Sequence, residues 1–138
     1  MDIEPEKTGA SHIVTAVSDD AITINGTDYR HSLIVMPDMK PVLWPIHSFD
    51  ELTLATLTGL GQYKPDIIVL GTGRQTRFLR QEETFSLLEK GILIECMNNR
   101  AACGAYNLIV GEGRHALLAL IMDDMEEIKQ EKKVTLSS

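Results

Sequence analysis

Cysteine and aromatic residues are scarce in this chain of 138 residues, which holds two Cys, one Trp and 5% aromatics overall. Two cysteines, Cys96 and Cys103, cannot build a disulfide framework and lack the paired spacing of a zinc ribbon, so a reducing compartment is expected. Positive charge is also short. Thirteen Lys and Arg stand against twenty Asp and Glu, a net charge of -7. No basic field exists to condense on a phosphate backbone or an anionic membrane, and neither nucleic acid nor membrane insertion is expected. The longest apolar run, Ala116 to Met122, falls far below the roughly 20 residues that span a bilayer. The opening residues, Met1-Asp2-Ile3-Glu4-Pro5-Glu6-Lys7, are acidic and interrupted by proline, unlike a signal or transit peptide, and a cytoplasmic location is expected. His12, His31, His47 and His115 show no H-x-x-x-H spacing and no pairing with the cysteines, so no metal or other cofactor is expected.

What is present reads as one α/β domain. Ile13 to Val17 and Ala21 to Ile24, separated by Ser18-Asp19-Asp20, predict a hairpin; Asn25-Gly26 predicts a second tight turn, with a strand from Tyr29 to Met36 after it. Pro37, Pro41 and Pro45 punctuate what reads as an irregular link. Ser48-Phe49-Asp50-Glu51 has the capping-box pattern of a helix start. Asp66–Leu70, Ile92–Glu95 and Ala116–Ile121 are continuous apolar runs, as expected of strands covered on both faces. The intervening stretches predict helices, one around Glu82 to Lys90 and one over Asn98 to Val110, with Phe85, Leu88, Ala101 and Leu108 facing the sheet. The expected boundaries are a flexible N-terminus over 1–9, a single α/β domain over 10–122, and a charged C-terminal tail or short surface helix over 123–138.

The sharpest chemical signal is Leu70-Gly71-Thr72-Gly73-Arg74 at the end of a buried strand. Glycines there allow backbone N–H groups to face an anion, and arginine adds charge. Thr76 stands where a dinucleotide fingerprint needs a third small residue, so that fingerprint is broken. Parallel strands deliver Glu95 and Asn98 to the same rim, giving Gly71, Thr72, Gly73, Arg74, Glu95 and Asn98 as a candidate site for a nucleotide or other small anion. Glycine at such a junction more often serves turn geometry alone. Cys96 is expected near a helix N-terminus, which lowers a thiol pKa, but no base accompanies it, and a packed small hydrophobe is the commoner role for such a cysteine. No catalytic constellation is assignable from spacing, which favours a non-enzyme.

Taken together, Ile68-Val69-Leu70-Gly71-Thr72-Gly73, Gly91-Ile92 before Glu95, Ala101-Ala102-Cys103-Gly104-Ala105-Tyr106-Asn107, and Glu112-Gly113-Arg114 before a buried strand resemble a known family. It is the small domain-of-unknown-function family related to mitochondrial NADH dehydrogenase (complex I) assembly factor 3, and the resemblance covers about residues 10–122. It implies a three-layer α/β fold with a mixed central sheet, helices on one side and an N-terminal β hairpin contributing to the other. It also implies an assembly-factor-like module whose partner is another protein, with a homo-oligomer left open. The family usually has Thr where Asn99 and Ala105 stand and often Pro where Leu79 stands, departures that weaken any hydroxyl-based chemistry.

Overall fold

The computed structural model describes residues 11–122; the expected N-terminal segment and the charged tail at 123–138 lie outside the described residues. Strand β1 (Val14–Val17) turns into β2 (Ile22–Ile24), with the Ser18 hydroxyl accepting the Ala21 N–H at 3.1 Å. Asn25 and Gly26 then take left-handed φ values of 46° and 87°, the mirror-image turn whose twist suits a hairpin. β3 (Thr27–Tyr29) returns antiparallel on β2, closing a three-stranded sheet ordered β1-β2-β3. An alanine at 26 meets no atom within 4 Å, so its cost is conformational only. Gly26→Ala is expected to lose about 1 kcal/mol, read from the midpoint of a urea melt at unchanged slope.

The predicted strand from Tyr29 to Met36 is two strands in different sheets. After β3 the chain crosses at Arg30 to Ser32 and restarts as β4 (Leu33–Met36). Ser32 is buried at the crossing, where its hydroxyl accepts the Met122 N–H at 2.7 Å, so its polarity is satisfied. The proline-punctuated link also holds a strand, β5 (Met39–Leu43), antiparallel to β4. Pro41 is tolerated because β5 is an edge strand, where a missing N–H breaks no ladder. The predicted capping box at Ser48 forms only a 3-10 turn (Phe49–Glu51), without a Ser48 side-chain cap. The helix α1 (Leu54–Gly59) starts later, N-capped by Thr53, whose hydroxyl accepts the Thr56 N–H at 3.1 Å.

A second 3-10 turn (Leu60–Tyr63) leads into β6 (Ile67–Gly71), followed by α2 (Gln81–Glu89), β7 (Ile94–Met97), α3 (Asn99–Gly111) and β8 (Ala116–Leu120). These strands and β4-β5 form a mixed sheet ordered β5-β4-β8-β6-β7, in which β6 runs parallel to β7 and β8, and β4 antiparallel to β8. The strand after α2 begins at Ile94 rather than at the predicted Ile92.

Strand alternation separates two apolar layers. Val35, Val69 and Leu118 face the small sheet and α3, whereas Ile34, Ile68 and Leu117 face α1, α2 and the Trp44-Ile46 segment. The three-layer α/β class is as expected, and the helices divide between the layers, with α3 beside the small sheet. Topology explains the division. The step from β6 to β7 and the step from β7 back across β6 to β8 run in opposite directions, so crossovers of one hand must use opposite faces.

The predicted helix phases are corrected. In α2 the buried residue is Leu87, while Phe85 and Leu88 are 56% and 47% exposed. In α3 it is Ala102, Cys103 and Tyr106 that face the sheet, leaving Ala101 exposed and Leu108 66% exposed. Spacings of three and four residues fit either face of a helix rich in small and apolar residues, and the sheet selects the face whose Tyr106 hydroxyl can be satisfied. That hydroxyl donates to the His12 carbonyl at 2.6 Å.

Candidate functional site

β6 ends at Gly71, which is buried because Asn99, the first residue of α3, lies across it. A Cβ at Gly71 would stand 2.5 Å from Asn99 Oδ1 and 2.5 Å from Leu120 Cδ2. Asn99 is the knot of this rim. Its Oδ1 accepts the Gly73 N–H at 3.0 Å, its Nδ2 donates to the Ile121 carbonyl at 2.9 Å, and its own N–H donates to the Gly73 carbonyl at 2.8 Å. From the sequence Asn99 is expected at the same sheet edge as the Gly71 loop and as a departure from a family threonine, with no role at the site assigned to it. The signal that could have found it is an amide directly after the N-cap, facing a glycine-bounded strand end.

Each predicted site residue has a definite place. The Thr72 N–H donates to the Met97 carbonyl at 2.9 Å, and the Thr72 hydroxyl donates to the Gln75 carbonyl at 2.7 Å while accepting the Arg77 N–H at 3.0 Å. Gly73 takes φ +103°, with its N–H held by Asn99. The N–H groups of Thr72 and Gly73 are thus spent inside the protein. Asn98 N-caps α3, accepting the Ala101 N–H at 2.9 Å, and its own N–H donates to Thr76 Oγ1 at 3.1 Å. Gly71, Thr72, Gly73 and Asn98 are brought together as a hydrogen-bonded junction. Glu95 is set apart from it. It alternates with Ile94 and Cys96, which pack on the α2 side, and its side chain is exposed on the other face of β7.

Beside the junction is a groove of about 270 Å³ bounded by Ser48, Phe49, Asp50, Gly73 and Arg74. Arg77 crosses one wall, 2.9 Å from Asp50 Oδ1 and 4.7 Å from the centre of the Phe49 ring. Both members of the ion pair are substantially exposed, so it contributes little to stability. Arg74 has no acidic partner within ion-pair distance among the described residues. A wider groove of about 470 Å³ lies at the opposite end of β6, between Lys64, Lys90 and Ile92. The sequence gives no local motif for it, because its walls come from separate turns.

Neither cysteine is activated. Burial pushes the Cys96 thiol up, outweighing a lowering contact from the Leu79 backbone, and Glu95 raises it further. The expected lowering by a helix N-terminus is overturned because Cys96 points into the α2 layer from β7. Burial pushes Cys103 up to about 12. Because a thiol held protonated in the fold but free to ionise near 9.0 when unfolded favours the fold only below that pH, stability is expected to fall as pH rises from 9.0 toward about 12. Denaturant melts across that window should show a smaller slope against pH for Cys103→Ala. An unchanged slope excludes the thiol as its source.

The other polar cluster holds the small sheet. The Asn107 amide accepts the Val14 N–H at 2.9 Å and donates to the Val14 carbonyl at 2.7 Å, so one α3 side chain occupies both hydrogen-bonding groups of a β1 residue.

Comparison with known proteins places this geometry among relatives. A family model described as protein of unknown function (DUF498/DUF598) matches residues 14–121. NADH dehydrogenase (ubiquinone) 1 alpha subcomplex assembly factor 3 of Danio rerio is 27% identical over 123 residues, covering 88% of this chain and 70% of the relative. The same-named protein of Rattus norvegicus is 26% identical over 110 residues, covering 78% of this chain and 59% of that one, so the chain spans little more than half of it. Among solved structures, a Bordetella parapertussis protein is 30% identical with a TM-score of 0.76, covering 82% of this chain and 97% of that chain. A Xanthomonas campestris protein is 30% identical with a TM-score of 0.75, covering 91% of this chain and 95% of that chain. The chain therefore belongs to the DUF498/DUF598 family of α/β proteins.

Proposed function

We propose that the chain is a non-enzymatic protein-interaction module of the assembly-factor kind, one that holds another polypeptide rather than transforming a substrate. The observation that carries this reading is the number of large apolar side chains left in water on a small domain. Phe78 is 73% exposed, Leu108 66%, Leu43 60% and Phe85 56%. Leu43 and Leu108 stand on β5 and α3, whereas Phe78 and Phe85 flank the start of α2, so the reading rests on this last pair. The names of the curated relatives support the same reading, since each is called an assembly factor. Among the described residues no helix is long and apolar enough to cross a membrane, and a cytoplasmic location is part of the proposal.

Purification of the tagged chain from its source cell under mild conditions tests the proposal. A partner co-eluting in fixed stoichiometry through size exclusion is expected. Recovery of the chain alone, together with turnover of a small molecule, overturns it. The anion-site alternative rests on Arg74 beside the 270 Å³ groove. A thermal-shift series with nucleotides, phosphorylated metabolites and organic acids tests that alternative, since a ligand at a hundred times its Kd adds about 2.7 kcal/mol. A hit that persists in Arg74→Ala excludes the site.

A further inference from the structure

We propose that the segment from Arg74 to Arg80, with Phe78 at its crest, docks an acidic segment of a partner protein that carries a large apolar side chain. The inference rests on the interaction reading above and names the surface and the chemistry of the partner.

Charge distribution is the first observation. The whole chain carries -7, yet Arg74-Gln75-Thr76-Arg77-Phe78-Leu79-Arg80 holds three arginines and no acid. Arg77 is offset by Asp50 at 2.9 Å and Arg80 lies 3.6 Å from Glu83, so the unbalanced charge centres on Arg74. Screening confines such a field to within about 10 Å. A short acidic segment senses it, whereas an extended polyanion meets the negative charge of the rest of the surface.

Rigidity is the second. The segment is pinned along its length, by the Thr72 hydroxyl at Gln75 and Arg77, by Asn98 at Thr76, and by Leu79 packing in the α2 layer. Arg80 then caps α2, with its N–H donating to Glu83 Oε1 at 3.1 Å. Phe78 remains 73% exposed between these anchors. Its neighbour Leu79 takes the interior position, so Phe78 has no packing duty. An aromatic held out by an ordered backbone loses little entropy on binding, and aromatic and arginine side chains supply most interface hot spots.

The chemistry of the partner follows. The N–H groups of Thr72 and Gly73, which would form a phosphate cradle, are already committed to Met97 and Asn99. What is offered outward, among the described residues, is the unpaired Arg74 guanidinium and the exposed Phe78 ring, matched by a carboxylate beside a large apolar side chain.

Panning a random peptide library against the intact protein tests this. Enriched peptides are expected to be net negative and to contain Leu, Ile, Phe or Trp. The affinity of the leading peptide should fall by about tenfold or more in Phe78→Ala and in Arg74→Glu. It should weaken with salt and be unchanged in Lys64→Glu at the opposite end of the sheet, with thermal melts showing all three variants folded. No enrichment, neutral or basic winners, or equal affinity for the variants overturns the proposal, as does a melting shift with inorganic phosphate that disappears in Arg74→Glu while no peptide is enriched. A stoichiometric cellular complex that survives Phe78→Ala and Arg74→Glu leaves the interaction reading standing and removes this surface. Failure to form any complex, together with turnover of a small molecule, removes the reading itself.

Discussion

Asn107→Ala is expected to lower the free energy of unfolding by about 3 kcal/mol, because it strands two partly buried backbone groups at roughly 1–3 kcal/mol each. Both the N–H and the carbonyl of Val14 are held by this single amide, at 2.9 and 2.7 Å. Val14 is only 7% exposed, so water replaces the amide poorly. Hydrogen exchange gives the discriminating readout. The amides of β1 to β3 should lose protection first, while those of β6 and β8 keep theirs. The small sheet should stay attached on average, since Ile22 and Ile24 are 0% and 2% exposed against α3 and the large sheet. Asn107→Asp keeps the acceptor for the Val14 N–H but sets a carboxylate oxygen against the Val14 carbonyl, and should recover only part of the loss. A uniform drop in protection across both sheets rules out a local clamp.

Gly71→Ala is expected to cost about 2 kcal/mol, within the range for overpacking a tight core. The added methyl meets Asn99 Oδ1 and Leu120 Cδ2 at 2.5 Å and Ala102 Cβ at 3.3 Å. Leu120 is fully buried at the centre of the fold, and Asn99 is fixed by its bonds to Gly73 and Ile121, so neither retreats freely. A double-mutant cycle with Asn99→Ala tests the cause. Removing the amide vacates the space, so the pair should be less destabilising than the sum of the singles by about 1 kcal/mol. Strict additivity assigns the strain to Leu120 alone. Gly73→Ala is the control, because nothing lies within 4 Å of its Cβ and only its φ of +103° is at stake.

The contrast between these glycines shows what could be read from the sequence. Asp66–Leu70 and Ala116–Ile121 were legible as buried strands, each within one residue of the observed Ile67–Gly71 and Ala116–Leu120, because both faces are covered and the side chains can be apolar. Asn25-Gly26 was legible because few residue pairs tolerate two left-handed conformations. Helix phase was not. Phe85, Leu87 and Leu88 are all large and apolar, yet Leu87 alone is buried, since the phase is fixed by the strands flanking the helix rather than by its own composition. β5 was hidden by its proline, a signal that bars a central strand but not an edge. At the candidate site the sequence placed Gly71, Thr72, Gly73 and Asn98 at one rim from the parallel-strand argument. It could not show that Asn99 consumes the Gly73 N–H, because that bond joins α3 to a loop far back in the chain.

The order β5-β4-β8-β6-β7 has a consequence for how the protein is made. β8 is the last described strand in the chain, yet it sits in the middle of the sheet, with Leu118 opposite Val35 on one side and Val69 on the other. A nascent chain that has emerged only as far as α3 therefore holds two half-sheets with no shared neighbour, each exposing a row of unpaired backbone groups and apolar side chains. Closure waits for residues 116–120 to leave the ribosome, so the sheet is completed late and largely in one step. A stop codon just before Ala116 would remove 23 of the 138 residues and with them the central strand, and such a product is expected to aggregate rather than persist as a shortened domain.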